Sequence, residues 1–223
     1  MTANMVAGAA EAGAESDRLD PAARALLDER VVGESLPAPF YVDREWFDRD
    51  LDEIFAKRWI FVATEAEIAE PGDYLTVNLG RSSVIIARDD EQVVRAHHNV
   101  CRHRGARLLT DDHGSTGTIV CAYHSWTYGM DGRLMFADAQ APGFDKKCFS
   151  LRPVALRTIA GLIFICLADE PPADIDEVAA IVTPYLEPHG LGNAKVAKQT
   201  DLIENGNWKL TMENNRECYH CGG

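Results

Sequence analysis

Two short runs carry residues with the chemistry to hold metal. Cys101 and His103 form the first; after seventeen intervening residues, Cys121 and His124 form the second. A thiolate and an imidazole this close together reach one centre from a single turn of loop. Two such turns supply four ligands, and two kinds of centre accept that set. One is tetrahedral zinc; the other is a [2Fe-2S] cluster with both thiolates on one iron and both imidazoles on the other. Spacing leaves both open, but the neighbourhood favours the cluster. Each pair follows a run that reads as a strand, and Arg102, Arg104, Gly105, Ser125 and Trp126 crowd the pairs, whereas zinc knuckles are small Cys-led modules. Thiolates stabilise ferric iron, and neutral imidazoles donate less charge to the second iron, which raises the potential.

A second constellation lies near the end of the sequence. Glu213, Glu217 and His220 stand at i, i+4 and i+7, so a helix through them puts all three on one face. A 2-His-1-carboxylate triad holds ferrous iron with positions open for dioxygen, and His220 is one histidine of the kind it needs. His97, His98, His113 and His189 read as ordinary polar residues. Arg102, Arg104 and Arg107 are either a solvated basic face or a docking point for an electron donor or a neighbouring carboxylate.

The elements that must position these residues change character along the chain. Residues 1–35 are rich in Ala, Gly, Glu and Asp and read as a flexible tail with a short helix from Pro21 to Arg30. Residues 36–58 read as a proline-rich extended lead-in and then a helix capped by Asp43. Its apolar positions Trp46, Phe47, Leu51, Ile54, Phe55 and Trp59 recur every three or four residues. From Trp59 the period becomes two. Short β-branched and aromatic runs follow, broken by Pro71-Gly72-Asp73, Gly80-Arg81-Ser82 and Asp89-Asp90-Glu91, with Asp131-Gly132 as the strongest hairpin signal. Residues 59–170 therefore predict an antiparallel β-sandwich whose strand ends carry the ligand loops. Pro171-Pro172 marks a boundary. Beyond it, residues 171–223 predict a helix from Asp174 to Leu186, a strand over Lys195 to Glu204 and a helix over Asn207 to Cys221. The class is α+β: a β-sandwich domain, then the opening of a helix-on-sheet domain.

Composition bounds the partners. Apolar residues make up 46% and charged residues 26%, as in a soluble globular protein. A net charge of −13 argues against nucleic acid and against an anionic membrane surface. No run approaches 18 apolar residues, no signal peptide opens the chain, and the six cysteines show no secreted disulfide framework, which points to the cytoplasm.

His98-Asn99-Val100-Cys101-Arg102-His103-Arg104-Gly105 and Cys121-Ala122-Tyr123-His124-Ser125-Trp126-Thr127-Tyr128 resemble the cluster loops of Rieske-type non-haem iron oxygenase α subunits. The resemblance resumes at Asn207-Trp208-Lys209 and Glu217-Cys218-Tyr219-His220, and covers residues 35–223. It implies Cys101, His103, Cys121 and His124 as ligands of a Rieske [2Fe-2S] cluster. The absence of a second cysteine after His103, and so of a loop-stapling disulfide, fits the oxygenase or ferredoxin type. The resemblance also implies His220 as one ligand of a mononuclear Fe(II), with Glu217 as its acidic neighbour and electron bridge. In the family a second histidine follows five residues after the first, which here falls at position 225, beyond Gly223, so the iron site is incomplete and the chain reads as truncated. A flavin/iron-sulfur reductase or ferredoxin, dioxygen, a small-molecule substrate and a homo-oligomer, typically a trimer, are the implied partners. Glu217, in place of the Asp common in ring hydroxylases, together with Cys218-Tyr219-His220-Cys221, looks like the branch acting on glycine betaine, stachydrine and carnitine. An aromatic-ring-hydroxylating dioxygenase and a stand-alone Rieske ferredoxin are the rival readings.

Overall fold

The computed structural model describes residues 20–138 and 140–217, the last by its backbone. The Glu217 side chain, Cys218, His220, Cys221 and most of the expected tail lie outside the described residues. The chain divides into two compact units, one of residues 49–202, the other of residues up to 48 together with those from 203 onward.

Ten strands build the larger unit: β1 (Ile60–Thr64), β2 (Asp73–Leu79), β3 (Ser82–Arg88), β4 (Val94–His98), β5 (His113–Ser115), β6 (Ile119–Val120), β7 (Thr127–Tyr128), β8 (Leu134–Phe136), β9 (Ala155–Ile159) and β10 (Leu162–Cys166). They pair antiparallel in three sheets, ordered β1-β10-β9, β4-β3-β2-β5 and β6-β7-β8. The four-stranded sheet is the middle layer. Successive residues of a strand face opposite sides, so β3 sends Val84 and Ile86 into one core and Ile85 and Ala87 into the other. The first core adds Ala63, Ile163 and Ile165 from the β1-β10-β9 sheet. The second adds Ile119, Tyr128 and Leu134 from the β6-β7-β8 sheet, together with Cys101 and Cys121. Both faces of β3 are therefore apolar, which is why Val84-Ile85-Ile86-Ala87 is a continuous run and not an alternating one. Asp131-Gly132 closes the β7–β8 hairpin as expected: Gly132 has φ +84°, and Asp131 accepts the N–H of Arg133 at 3.0 Å. A side chain at Gly132 would also collide with the ring of His97.

The helices are α1 (Pro21–Asp28), α2 (Pro39–Val42), α3 (Arg44–Asp50), α4 (Asp174–Leu186) and α5 (Trp208–Glu217). Four expectations need correction. The lead-in at 36–41 is not wholly extended, because Pro39 opens α2. The helix after Asp43 becomes a π-turn at Leu51–Phe55. β5 was not foreseen: it forms by pairing with Asp73–Leu75, where Gly114 leaves room for the Tyr74 hydroxyl. Residues 195–204 form no strand, since this run has no hydrogen-bonded neighbour among the described residues, and an unpaired strand lacks its ladder bonds. The Pro171-Pro172 break falls inside the larger unit, where the carbonyl of Pro172 accepts from Trp59 Nε1 at 2.8 Å.

Candidate metal centre

β4 delivers the chain to Cys101, and β6 delivers it to Cys121. The two loops that follow share one backbone frame, displaced by twenty positions. Val100 bridges to Arg107 in the first, and Val120 pairs with Thr127 in the second. Cys101 N–H donates to Ala106 O at 2.8 Å and Gly105 N–H to Cys101 O at 2.9 Å. Cys121 N–H donates to Trp126 O at 2.8 Å and Ser125 N–H to Cys121 O at 2.9 Å. Each loop turns back through a left-handed residue, Gly105 at φ +75° and Ser125 at φ +55°. Glycine adopts that conformation without strain, while serine carries a steric cost.

This frame sets the cysteines deep and the histidines shallow. Cys101 and Cys121 are 3% and 2% exposed, whereas His103 and His124 are exposed to solvent. The two thiols are within hydrogen-bond reach of each other, and the backbone N–H groups of Tyr123 and His124 point at Cys121 Sγ. Burial pushes the Cys121 thiol up, and the two amides oppose that shift. The two imidazole rings stand edge to face, with centroids 4.7 Å apart. Partial desolvation and the nearby His124 and Arg104 push His103 down, toward the neutral form that ligates metal.

The donor set fits a [2Fe-2S] group: two buried thiols for an inner iron, two exposed imidazoles for an outer one, and amides aimed at sulfur.

Four residues that the sequence reading left without a role support the loops. Asn99, 1% exposed, accepts from the N–H groups of Leu108 and Leu109 at 3.1 and 2.9 Å and donates to Leu109 O at 2.7 Å and Ser83 Oγ at 3.2 Å. Nothing in the sequence marks it out, since it follows the equally polar His97 and His98 at the end of β4. The hydroxyl of the fully buried Tyr128 lies 3.3 Å from Cys101 Sγ and accepts the N–H of Arg102 at 3.0 Å. Burial, with the cysteine beside it, pushes this phenol up, so it stays a proton donor. Phe149, with Phe144, packs edge-on to Trp126 at centroid distances of 5.6 and 5.8 Å, and Trp126 stacks flat on His103 at 4.8 Å.

The arginines separate in role. Arg107 is committed to the first loop, bonding Leu109 O and Asn78 Oδ1, both at 3.1 Å. Arg102 lines a cleft of about 270 Å³ with His98, Val100 and Arg152. His97 is a core residue with one ring nitrogen 3.3 Å from Met130 O. Cys148 and Cys166 are free thiols. Among the described residues no helix is long and apolar enough to cross a membrane.

Comparison with known proteins agrees with this centre. The Rieske [2Fe-2S] domain family matches residues 58–157. The glycine betaine monooxygenase oxygenase subunit of Pseudomonas aeruginosa is 47% identical over 211 residues, 93% of this chain and 49% of that protein. The carnitine monooxygenase oxygenase subunit of Escherichia coli is 34% identical over 191 residues, 84% of this chain and 51% of that protein. The apo crystal structure of the quaternary ammonium Rieske monooxygenase CntA superposes with a TM-score of 0.76 at 34% identity, covering 84% of this chain and 56% of that one. The chain thus spans about half the length of the relatives it matches. Residues 58–157 are a Rieske [2Fe-2S] domain, and over most of its length the chain is similar to part of the oxygenase subunits of Rieske-type monooxygenases.

Proposed function

We propose that the full-length protein carrying this chain is the oxygenase subunit of a monooxygenase acting on a quaternary ammonium compound of the betaine or carnitine type. It hydroxylates an N-methyl C–H, and the product falls apart to formaldehyde and the demethylated amine. The observation that carries this reading is the reach of the likeness to a glycine betaine monooxygenase subunit. It runs over 211 residues, where the cluster domain alone accounts for 58–157. A stand-alone electron carrier needs only the latter.

When bound, the [2Fe-2S] group passes single electrons from a flavin reductase, directly or through a ferredoxin, and a mononuclear ferrous iron activates dioxygen. Cys101 and Cys121 would hold one iron through buried thiolates, and His103 and His124 would hold the other through exposed imidazoles. Tyr128 donates to the Cys101 sulfur, which stabilises the electron-rich reduced state. Trp126 fixes the plane of His103. His220 is a ligand of the mononuclear iron. Glu217, in a ring of three subunits, accepts hydrogen bonds from a cluster histidine of one subunit and from His220 of the next.

The test is product analysis of the full-length enzyme with a matched reductase. Formaldehyde released stoichiometrically from glycine betaine, stachydrine or carnitine is the expected result. Cis-diols from aromatic rings without formaldehyde would overturn the substrate class. Glu217→Gln should keep both metals and slow cluster-to-iron electron transfer; loss of the mononuclear iron with unchanged transfer would overturn the bridge. Residues 1–223 alone should turn over none of these substrates, because one histidine does not hold catalytic iron.

A further inference from the structure

In a chain of net charge −13, arginines readily find acidic partners. Arg44, Arg88, Arg95, Arg133 and Arg157 each pair with an Asp or Glu. Two arginines beside the metal loops do not. Among the described residues neither Arg102 nor Arg152 has an acidic partner, and Arg102 Nε is buried without a hydrogen-bond acceptor. Both line the cleft of about 270 Å³, with His98 and Val100, and no carboxylate lines it with them. Asp169 stands instead in an adjoining cleft of about 490 Å³, which shares His98 and Arg152, and it pairs with neither arginine.

The segments that carry these side chains are tied to one another. His98 N–H donates to Arg152 O at 2.9 Å, His97 bridges to Pro153, and Val100 N–H donates to His98 O at 2.8 Å. Arg102 N–H donates to the buried Tyr128 hydroxyl at 3.0 Å. The walls are therefore set before any ligand arrives, which lowers the ordering cost of binding. Two guanidinium groups on one small cleft repel each other, and a buried N–H without an acceptor is costly. An anion between them relieves both penalties. A carboxylate matches the guanidinium fork with two parallel hydrogen bonds. The volume falls below the range of about 300–1,000 Å³ usual for whole small-molecule ligands, so it suits a group of few atoms. The acidic chain and Asp169 nearby weigh against a dianion such as phosphate.

We propose that the cleft of Arg102 and Arg152 is a receptor for one carboxylate group, carried by a free organic acid or by an acidic side chain of a docking protein.

The test uses the full-length protein with its cluster, and sodium acetate as probe against sodium chloride at equal ionic strength. Relaxation of the acetate methyl protons reads binding. Reducing the cluster reads nearness, because an acetate held beside the ligand loops relaxes faster near an unpaired spin. Saturable binding is expected, with faster relaxation in the reduced protein. Arg102→Gln and Arg152→Gln should each weaken binding about tenfold or more, as for loss of a hydrogen bond between charged groups. Arg152 lies outside the ligand loops, so Arg152→Gln tests the cleft even where Arg102→Gln loses its cluster. Acetate that does not saturate above chloride, or whose binding Arg152→Gln leaves unchanged, would overturn the site. Phosphate bound more tightly than acetate would overturn the carboxylate class. A second arm finds the source and rests on the electron supply proposed above. Acetate that slows cluster reduction by the matched reductase in wild type, and not in Arg152→Gln, puts the carboxylate on the electron donor. Reduction indifferent to bound acetate assigns the cleft to a free organic acid. A reductase that fails to reduce the cluster would count against the electron supply alone, and the acetate titration would still decide the site.

Discussion

The Cys101 loop and the Cys121 loop are one hairpin built twice, yet they place their histidines differently. Both close a six-residue turn between paired residues, with the same two backbone hydrogen bonds and a left-handed fifth residue. In the first the histidine is third, in the second it is fourth. Tyr123 occupies the place equivalent to His103, and Arg104 the place equivalent to His124. The sixth position is Ala106 in one loop and Trp126 in the other, and only Trp126 supplies a plate for an imidazole. The shared backbone therefore locates the thiols, and the side chains added to it locate the imidazoles. A ligand motif is two layers of information, of which only the second differs between the loops.

The sharpest way to break this comparison is to make the loops alike. Tyr123→His combined with His124→Arg gives the second loop the histidine position of the first without touching the frame. It should abolish the cluster, seen as loss of visible absorption and of two irons and two sulfides per chain. A brown protein with full iron would mean that the frame tolerates either position. Next in size is Asn99→Ala, which orphans the buried N–H groups of Leu108 and Leu109 and strikes the first loop alone. A loss of about 2–3 kcal/mol is expected in urea unfolding of the holo-protein; a change below about 0.5 kcal/mol would show that the loop does not hang on Asn99.

Tyr128→Phe should keep the cluster and lower its potential by on the order of 50 mV. That figure corresponds to a hydrogen bond of about 1 kcal/mol in a one-electron couple. The sign follows from the donor: a hydrogen bond to sulfur favours the state with more negative charge, so its removal favours the oxidised form. A raised potential in a redox titration would refute the assignment. The smallest effects belong to the turning residues. Gly105→Ala meets no neighbouring atom but must adopt φ +75°, so it should cost about 1–2 kcal/mol by conformation alone. Ser125→Gly relieves strain at the price of unfolded-state entropy, and should fall within about 0.5 kcal/mol of wild type. Equal costs for the two would show that the loops are not strained at equivalent points.

Much of this was legible in sequence, for reasons that differ by residue. Cys101, His103, Cys121 and His124 announce themselves because few centres use that pair of donors at that spacing. Val84 to Ala87 reads as a strand from its β-branched residues, but the period of two expected there does not hold, because the structure sets this strand between two cores. Asn99 was not legible, since its partners lie nine and ten residues on and are backbone groups. β5 was hidden for a related reason: His113-Gly114-Ser115 has no strand propensity and depends on β2 to form. The opposite error arose at 195–204, where a plausible pattern meets no partner strand among the described residues. Sequence reveals donors and periodicity; it does not reveal who is across the gap.

The depth of the thiols has a consequence for how the protein is made. With Cys101 and Cys121 buried behind the exposed His103 and His124, iron and sulfide offered to the empty protein would reach the thiols from the imidazole side, so the two histidines stand at the entrance to their own cluster.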